Sequence, residues 1–91
     1  MGKLVREGSL HQTITFTLRG KTFAKRKEDF VNAMKRIEPG RVQKYSTLVS
    51  GKRYPIRQVL AAVTKLPTIA ITSQDAYRVL EKFGFAVEAA E

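Results

Sequence analysis

Cysteine is absent from the sequence, which rules out disulfides and thiolate metal sites and makes thiol oxidation irrelevant to the fold. That composition suits the cytoplasm, or the nucleoid if the partner is DNA. Histidine occurs once, as His11, with no cluster of carboxylates beside it, so neither a metal nor a catalytic role is expected there. Acids number 8 against 17 lysines and arginines, and no acidic pair has the setting of a metal-dependent nuclease or a glycosidase. A Gly-rich phosphate loop and a Ser or Cys nucleophile motif are also missing. No enzyme activity, cofactor or metal is therefore expected. No apolar run approaches the roughly 20 residues that a membrane helix needs. The opening MGKLVREGSLHQ lacks a signal-peptide core, and Arg6 spoils a myristoylation pattern.

What remains is the composition of one small folded domain: 91 residues, 43% hydrophobic and 27% charged. Residues 1–12 read as a flexible lead-in, 13–88 as a single domain and 89–91 as a frayed tail. The net charge of +9 is unevenly placed. Twelve cations and three acids lie between Arg19 and Arg57, whereas residues 1–18 carry +1 and residues 58–91 carry −1. A central stretch with the whole imbalance suits a polyanion, nucleic acid first and an anionic membrane second. The plain alternative is charge that only maintains solubility.

Thr13 to Leu18 alternates, with Ile14, Phe16 and Leu18 on one side and three threonines on the other, the pattern of a half-buried strand. Arg19-Gly20-Lys21 turns the chain. From about Ala24 to Glu38 the period becomes helical, with Phe30, Ala33, Met34 and Ile37 on the buried face, until Pro39-Gly40 stops it. Lys25 to Lys27 at the head of that helix would oppose its dipole; either a phosphate belongs there or the helix starts later.

The stretch KYSTLVSGKRYPIRQVLAAV, from Lys44 to Val63, holds the densest signals. Tyr45 to Val49 and Lys52 to Tyr54 read as strands joined at Ser50-Gly51, and Pro55 suits the first position of the helix that follows. Ile56, Val59, Leu60 and Val63 form that helix's apolar face, leaving Arg57, Gln58 and Ala61 in solvent. Thr68 to Ile71 is a short β-branched run, a strand or an extended link. Thr72 with Asp75 starts a third helix whose buried face is Ala76, Val79, Leu80 and Phe83, and Gly84 stops it. Phe85 and Val87 alternate as a last strand before a frayed end at 88–91.

These elements amount to an α+β domain, a small antiparallel sheet of three to four short strands with a β-hairpin, packed against three helices. Its expected function is non-enzymatic DNA binding led by phosphate contacts. The candidate residues are Arg19, Lys21, Lys25, Arg26, Lys52, Arg53 and Arg57, with Lys35, Arg36, Arg41 and Lys44 as outer contributors. Tyr54 joins them as a stacking side chain, as does Tyr77, against the alternative of half-buried packing. Duplex DNA is the expected partner ahead of single strands, with RNA left open, no membrane, and a homodimer or protein partner as further readings.

The order Tyr45-x-x-Leu48-x-x-Gly51-Lys52-Arg53-Tyr54-Pro55, then Arg57 and an apolar helix, then Ala76-x-x-Val79-Leu80-x-x-x-Gly84-Phe85-x-Val87, resembles the N-terminal head domain of McrA-like type IV restriction endonucleases. Those enzymes cut modified DNA through a separate HNH nuclease domain. The resemblance covers roughly residues 29 to 88 and implies a small mixed α/β, DNA-associated module. Where the family pattern has a lysine shortly after the tyrosine, this chain has Arg57, which keeps the charge and changes the donor geometry. With no HNH nuclease expected before Glu91, the resemblance carries recognition over and not cleavage.

Two other arrangements compete. One is a helix-turn-helix built from the second and third helices, presenting Gln74, Tyr77, Arg78 and Glu81 to the major groove. The other is an adaptor that docks on an acidic protein or offers a strand edge.

Overall fold

Two hairpins with the same kind of turn set the architecture. In the computed structural model, which describes residues 12–41 and 44–89, β1 (Thr13–Leu18) pairs antiparallel with β2 (Lys21–Arg26), and β3 (Tyr45–Val49) with β4 (Lys52–Pro55). Each turn places two consecutive residues at positive φ: Arg19 at 52° and Gly20 at 79° in the first, Ser50 at 52° and Gly51 at 83° in the second. Two-residue loops of this hand match the twist of the strands they join. A β-carbon at Gly51 would meet nothing within 4 Å, so the turn asks for glycine through its backbone angle and not through crowding. His11, most of the lead-in and residues 90–91 lie outside the described residues.

The first hairpin corrects the reading of Lys21 as part of the turn and of residues 24–26 as the head of a helix. Lys21–Arg26 is one strand, with Phe23 opposite Phe16 and its ring stacked on that partner at 5.4 Å. Burying Phe23 on the strand outweighs the helical period that its neighbours suggest. The helix α1 (Lys27–Ala33) begins only after it, where the Asp29 carboxylate accepts the Arg26 amide at 2.8 Å. Lys25 and Arg26 thus lie in the strand, and the conflict with the helix dipole largely disappears. Helix α1 is also shorter than its period suggested. Beyond Met34 the chain tightens into three-residue turns, with the Lys35 amide on Asn32 and that of Ile37 on Met34.

The second hairpin leads directly into α2 (Ile56–Thr64), with Pro55 as its N-cap, one position earlier than the sequence suggested. Ile56, Val59, Leu60 and Val63 are buried, as their spacing requires. Residues Thr68–Ala70 make a single 3-10 turn instead of a strand, and Ile71 drops into the core behind it. Helix α3 (Ser73–Lys82) opens on the Thr72 hydroxyl, which accepts the Asp75 amide at 3.0 Å. It closes with Gly84 at φ 87° and the Phe85 amide on the Leu80 carbonyl, a glycine-stopped C-terminus.

The last strand, β5 (Val87–Ala89), pairs with β3, so Glu88 and Ala89 belong to the sheet and not to a frayed end. The α+β class and the three helices stand, but the sheet divides in two: β1-β2 alone, and β4-β3-β5. An aromatic cluster joins the first ribbon to the rest, with Phe83 4.5 Å from Phe30 and 5.7 Å from Phe16, ring centre to ring centre. Among the described residues no helix is long and apolar enough to cross a membrane.

Candidate nucleic-acid interface

The folded chain sorts its cations into two groups at the two ends of α1. Arg19, Lys21, Lys25 and Arg26 belong to the β1-β2 ribbon, whereas Lys52, Arg53 and Arg57 belong to the β4-α2 corner, beside the segment that follows α1.

The corner is built by Gln58. From the first turn of α2 its Nε2 donates to the Glu38 carbonyl at 3.0 Å, while its Oε1 accepts the Gly40 amide at 2.8 Å. The same segment is gripped from the core side by Tyr54, whose hydroxyl donates toward the Ile37 carbonyl at 2.8 Å and the Met34 carbonyl at 3.1 Å. Residues 34–40 are therefore fixed against β4 and α2 from both directions. Their placement brings Arg41 and Lys44 to the start of α2, where they line a cleft of about 550 Å³ with Tyr45, Arg57, Gln58 and Ser73.

Electrostatically the cleft is lopsided. Helix α2 has no side-chain cap and no acid in its first turn, so its leading amides and its positive dipole end face Arg57, Arg41 and Lys44. Arg57 is half-buried, and its Nε is buried without a hydrogen-bond partner among the described residues. An anion seated there would answer all of these groups at once.

The other candidates are distributed differently. Arg53 lies on the outer face of the three-stranded sheet, tied to the Glu88 carboxylate at 3.0 Å and to the Ser46 hydroxyl at 3.2 Å. Lys52 stands 3.9 Å from Glu38, and Arg26 stands 3.8 Å from Glu28. Arg19, Lys21 and Lys25 have no ion pair among the described residues, nor have Lys35, Arg36, Arg41, Lys44 and Arg57. Tyr54 leaves the candidate set: it is 1% exposed, and burying its ring beneath α1 while its hydroxyl grips two carbonyls removes it from any base. Tyr77 is half-buried, its ring meeting that of Tyr45 edge-on at 5.4 Å.

On the exposed side of α3, Arg78 is held by Asp75 at 3.0 Å and Glu81 adds a further acid, so the helix-turn-helix face has little net charge to offer a phosphate. Arg57 and Gln58 are half-buried and not solvent-facing as expected. Sequence reasoning missed the organising role of Gln58. Its only signal was a glycine-bearing stop, Pro39-Gly40, with no indication of which element would hold it.

The chain belongs to the SCO5918-like family, whose model matches residues 19–91. No curated protein and no solved structure matches it. Several of the motif residues that resemble the McrA-like head domain have structural duties here, whereas Leu48 of the same motif is exposed. Gly51 makes the turn, Tyr54 packs, and Gly84-Phe85 closes α3 and returns to the core.

Proposed function

We propose that this domain is a non-enzymatic DNA-binding module that holds the sugar-phosphate backbone through the cleft at the start of α2. The observation that carries this reading is the company of Arg41, Lys44 and Arg57 around an uncapped helix start, with no ion pair for any of them among the described residues. Bringing three cations together at the positive end of a dipole costs free energy in the isolated domain. A phosphodiester offsets that cost.

The ribbon cations Arg19, Lys21 and Lys25 extend the positive surface, and Lys52 and Arg53 contribute less because each already faces a glutamate. The resemblance to the McrA-like head domain supports DNA as the polyanion. Contacts of this kind position a duplex without reading it.

The test is fluorescence anisotropy with the purified chain on duplex DNA, single-stranded DNA and RNA at two salt concentrations. Duplex DNA bound at micromolar or better affinity in low salt, and released by added salt, is the expected result. Failure to bind any of the three nucleic acids in low salt would overturn the reading in favour of a protein partner.

A further inference from the structure

Phosphate contacts leave open how the domain would distinguish one DNA sequence from another, and the β1-β2 ribbon has a face suited to that task. In this register Thr13, Thr15, Thr17, Thr22, Ala24 and Arg26 share the side turned away from Phe16, Leu18 and Phe23, and all six are exposed. The Thr17 and Thr22 hydroxyls stand 3.4 Å apart across the strands.

The pattern of size and charge on this face is unusual for a solvated ribbon. Exposed strands are commonly protected by charged side chains along their length. Here the middle is short and neutral, and charge is confined to the ends: Arg19 in the turn at the tip and Arg26 at the base. Over residues 13–27 there are five cations and no acid. Acids stand beside it at the base, where Asp29 accepts the Arg26 amide at 2.8 Å and Glu28 faces the Arg26 guanidinium at 3.8 Å, and on α3, where Glu81 lines the cleft along β1 with Arg78 and Lys82. Lys82 itself donates to the Thr15 carbonyl at 3.1 Å, fixing the ribbon's edge to α3.

From these observations we infer that the β1-β2 ribbon enters the major groove of duplex DNA and reads base edges with Thr15, Thr17 and Thr22. The inference rests on the DNA-binding reading above. A major groove about 12 Å wide admits a two-stranded ribbon whose strands lie about 4.8 Å apart. Its floor presents hydrogen-bonding edges and thymine methyls, which a threonine hydroxyl and methyl can meet, and its rims present phosphates. The ribbon repeats that order, neutral hydroxyls in the middle and cations at both ends. The six paired positions of the ribbon span roughly 17 Å at about 3.4 Å per residue, which separates Arg19 in the turn from Arg26 at the base by enough to reach both rims. The deep, narrow major groove of an RNA helix would not admit the ribbon.

Two measurements on the full chain test the inference. The first is selection from a random-sequence duplex pool, followed by anisotropy on the selected duplex and a scrambled one, with wild type and with the combined variant Thr15→Val, Thr17→Val, Thr22→Val. Valine keeps the shape and the strand propensity and removes only the hydroxyls. The wild type should prefer the selected duplex by at least about ten-fold, the discrimination of one or two base contacts. The variant should lose that preference while keeping its affinity for the scrambled duplex and its salt dependence.

The second measurement is an amide chemical-shift titration of the wild type with the selected duplex, which does not depend on how the variant folds. Shifts at residues 15–17 and 22–24 are expected. Shifts confined to residues 40–58, or a preference that survives the valine substitutions, would overturn the ribbon's role and leave backbone binding intact. Binding to every duplex with no enrichment at all would do the same. Loss of all duplex binding by the wild type would instead remove the reading on which the inference rests.

Discussion

Gln58 and Gly40 stand eighteen residues apart in the sequence and meet through a 2.8 Å hydrogen bond from the Gly40 amide to the Gln58 side-chain oxygen. With the second bond to Glu38, that contact fixes the chain leading to Arg41 beside the start of α2. A site assembled this way depends on one neutral side chain as much as on its cations.

Replacing Gln58 by Ala should therefore weaken DNA binding several-fold although it removes no charge. Two partly exposed hydrogen bonds are lost, so unfolding stability should fall by about 1 kcal/mol. Urea denaturation and anisotropy on the same preparation check both expectations. Unchanged affinity in a folded variant would show that the segment needs no clamp.

Tyr54→Phe separates packing from binding. The ring stays buried while the Met34 and Ile37 carbonyls lose their shared donor, and about 1–2 kcal/mol of stability should go with it. Affinity for DNA below the unfolding transition should change little, since this tyrosine touches no ligand. A selective loss of affinity would return Tyr54 to the interface.

Much of this fold was legible in the sequence, for reasons that particular residues make clear. Ser50-Gly51 and Thr72 with Asp75 are local signals whose chemistry acts over two to four residues, and each appears where it was expected, while Pro55 closes β4 and caps α2 one position before the expected one. The strand at Lys21–Arg26, whose last three residues follow a helical period, was not legible because it is decided by Phe16 facing Phe23 across the hairpin, a contact that the local period does not report. Likewise Thr13–Leu18 was assigned to the same sheet as the second hairpin, whereas strand partners depend on which edges the helices leave open. For the candidate site, the density of cations was visible. Which of them keep free charge was not, because Glu88 reaches Arg53 only after β5 pairs with β3.

That distinction predicts an unequal pair. Arg53→Ala should change duplex affinity less than Arg57→Ala, because Arg53 is engaged by Glu88 while Arg57 faces the cleft. Its cost to stability should be about 0–1 kcal/mol, as is usual for an exposed ion pair. Side-by-side anisotropy titrations of the two variants check the order, and Arg53 proving the more important would move the site to the outer face of the sheet.

Gly51 offers a test of the hairpin that positions α2. With space around it and φ at 83°, Gly51→Val should cost roughly 1–2 kcal/mol through the backbone alone, and Gly51→Asn clearly less. Thermal unfolding of the two variants gives the comparison. Equal losses would mean that the turn relaxes into another geometry.

The most direct test of the central claim is the salt dependence of duplex binding by the wild type and by the combined variant Arg41→Ala, Lys44→Ala, Arg57→Ala. For the wild type, log K should fall against log salt with a slope of about −4 to −6, and the variant's slope should be shallower by about 2 to 3 as three phosphate contacts disappear. A wild-type slope near zero, or a steep slope that the three substitutions leave unchanged, would contradict a phosphate-binding cleft at the start of α2.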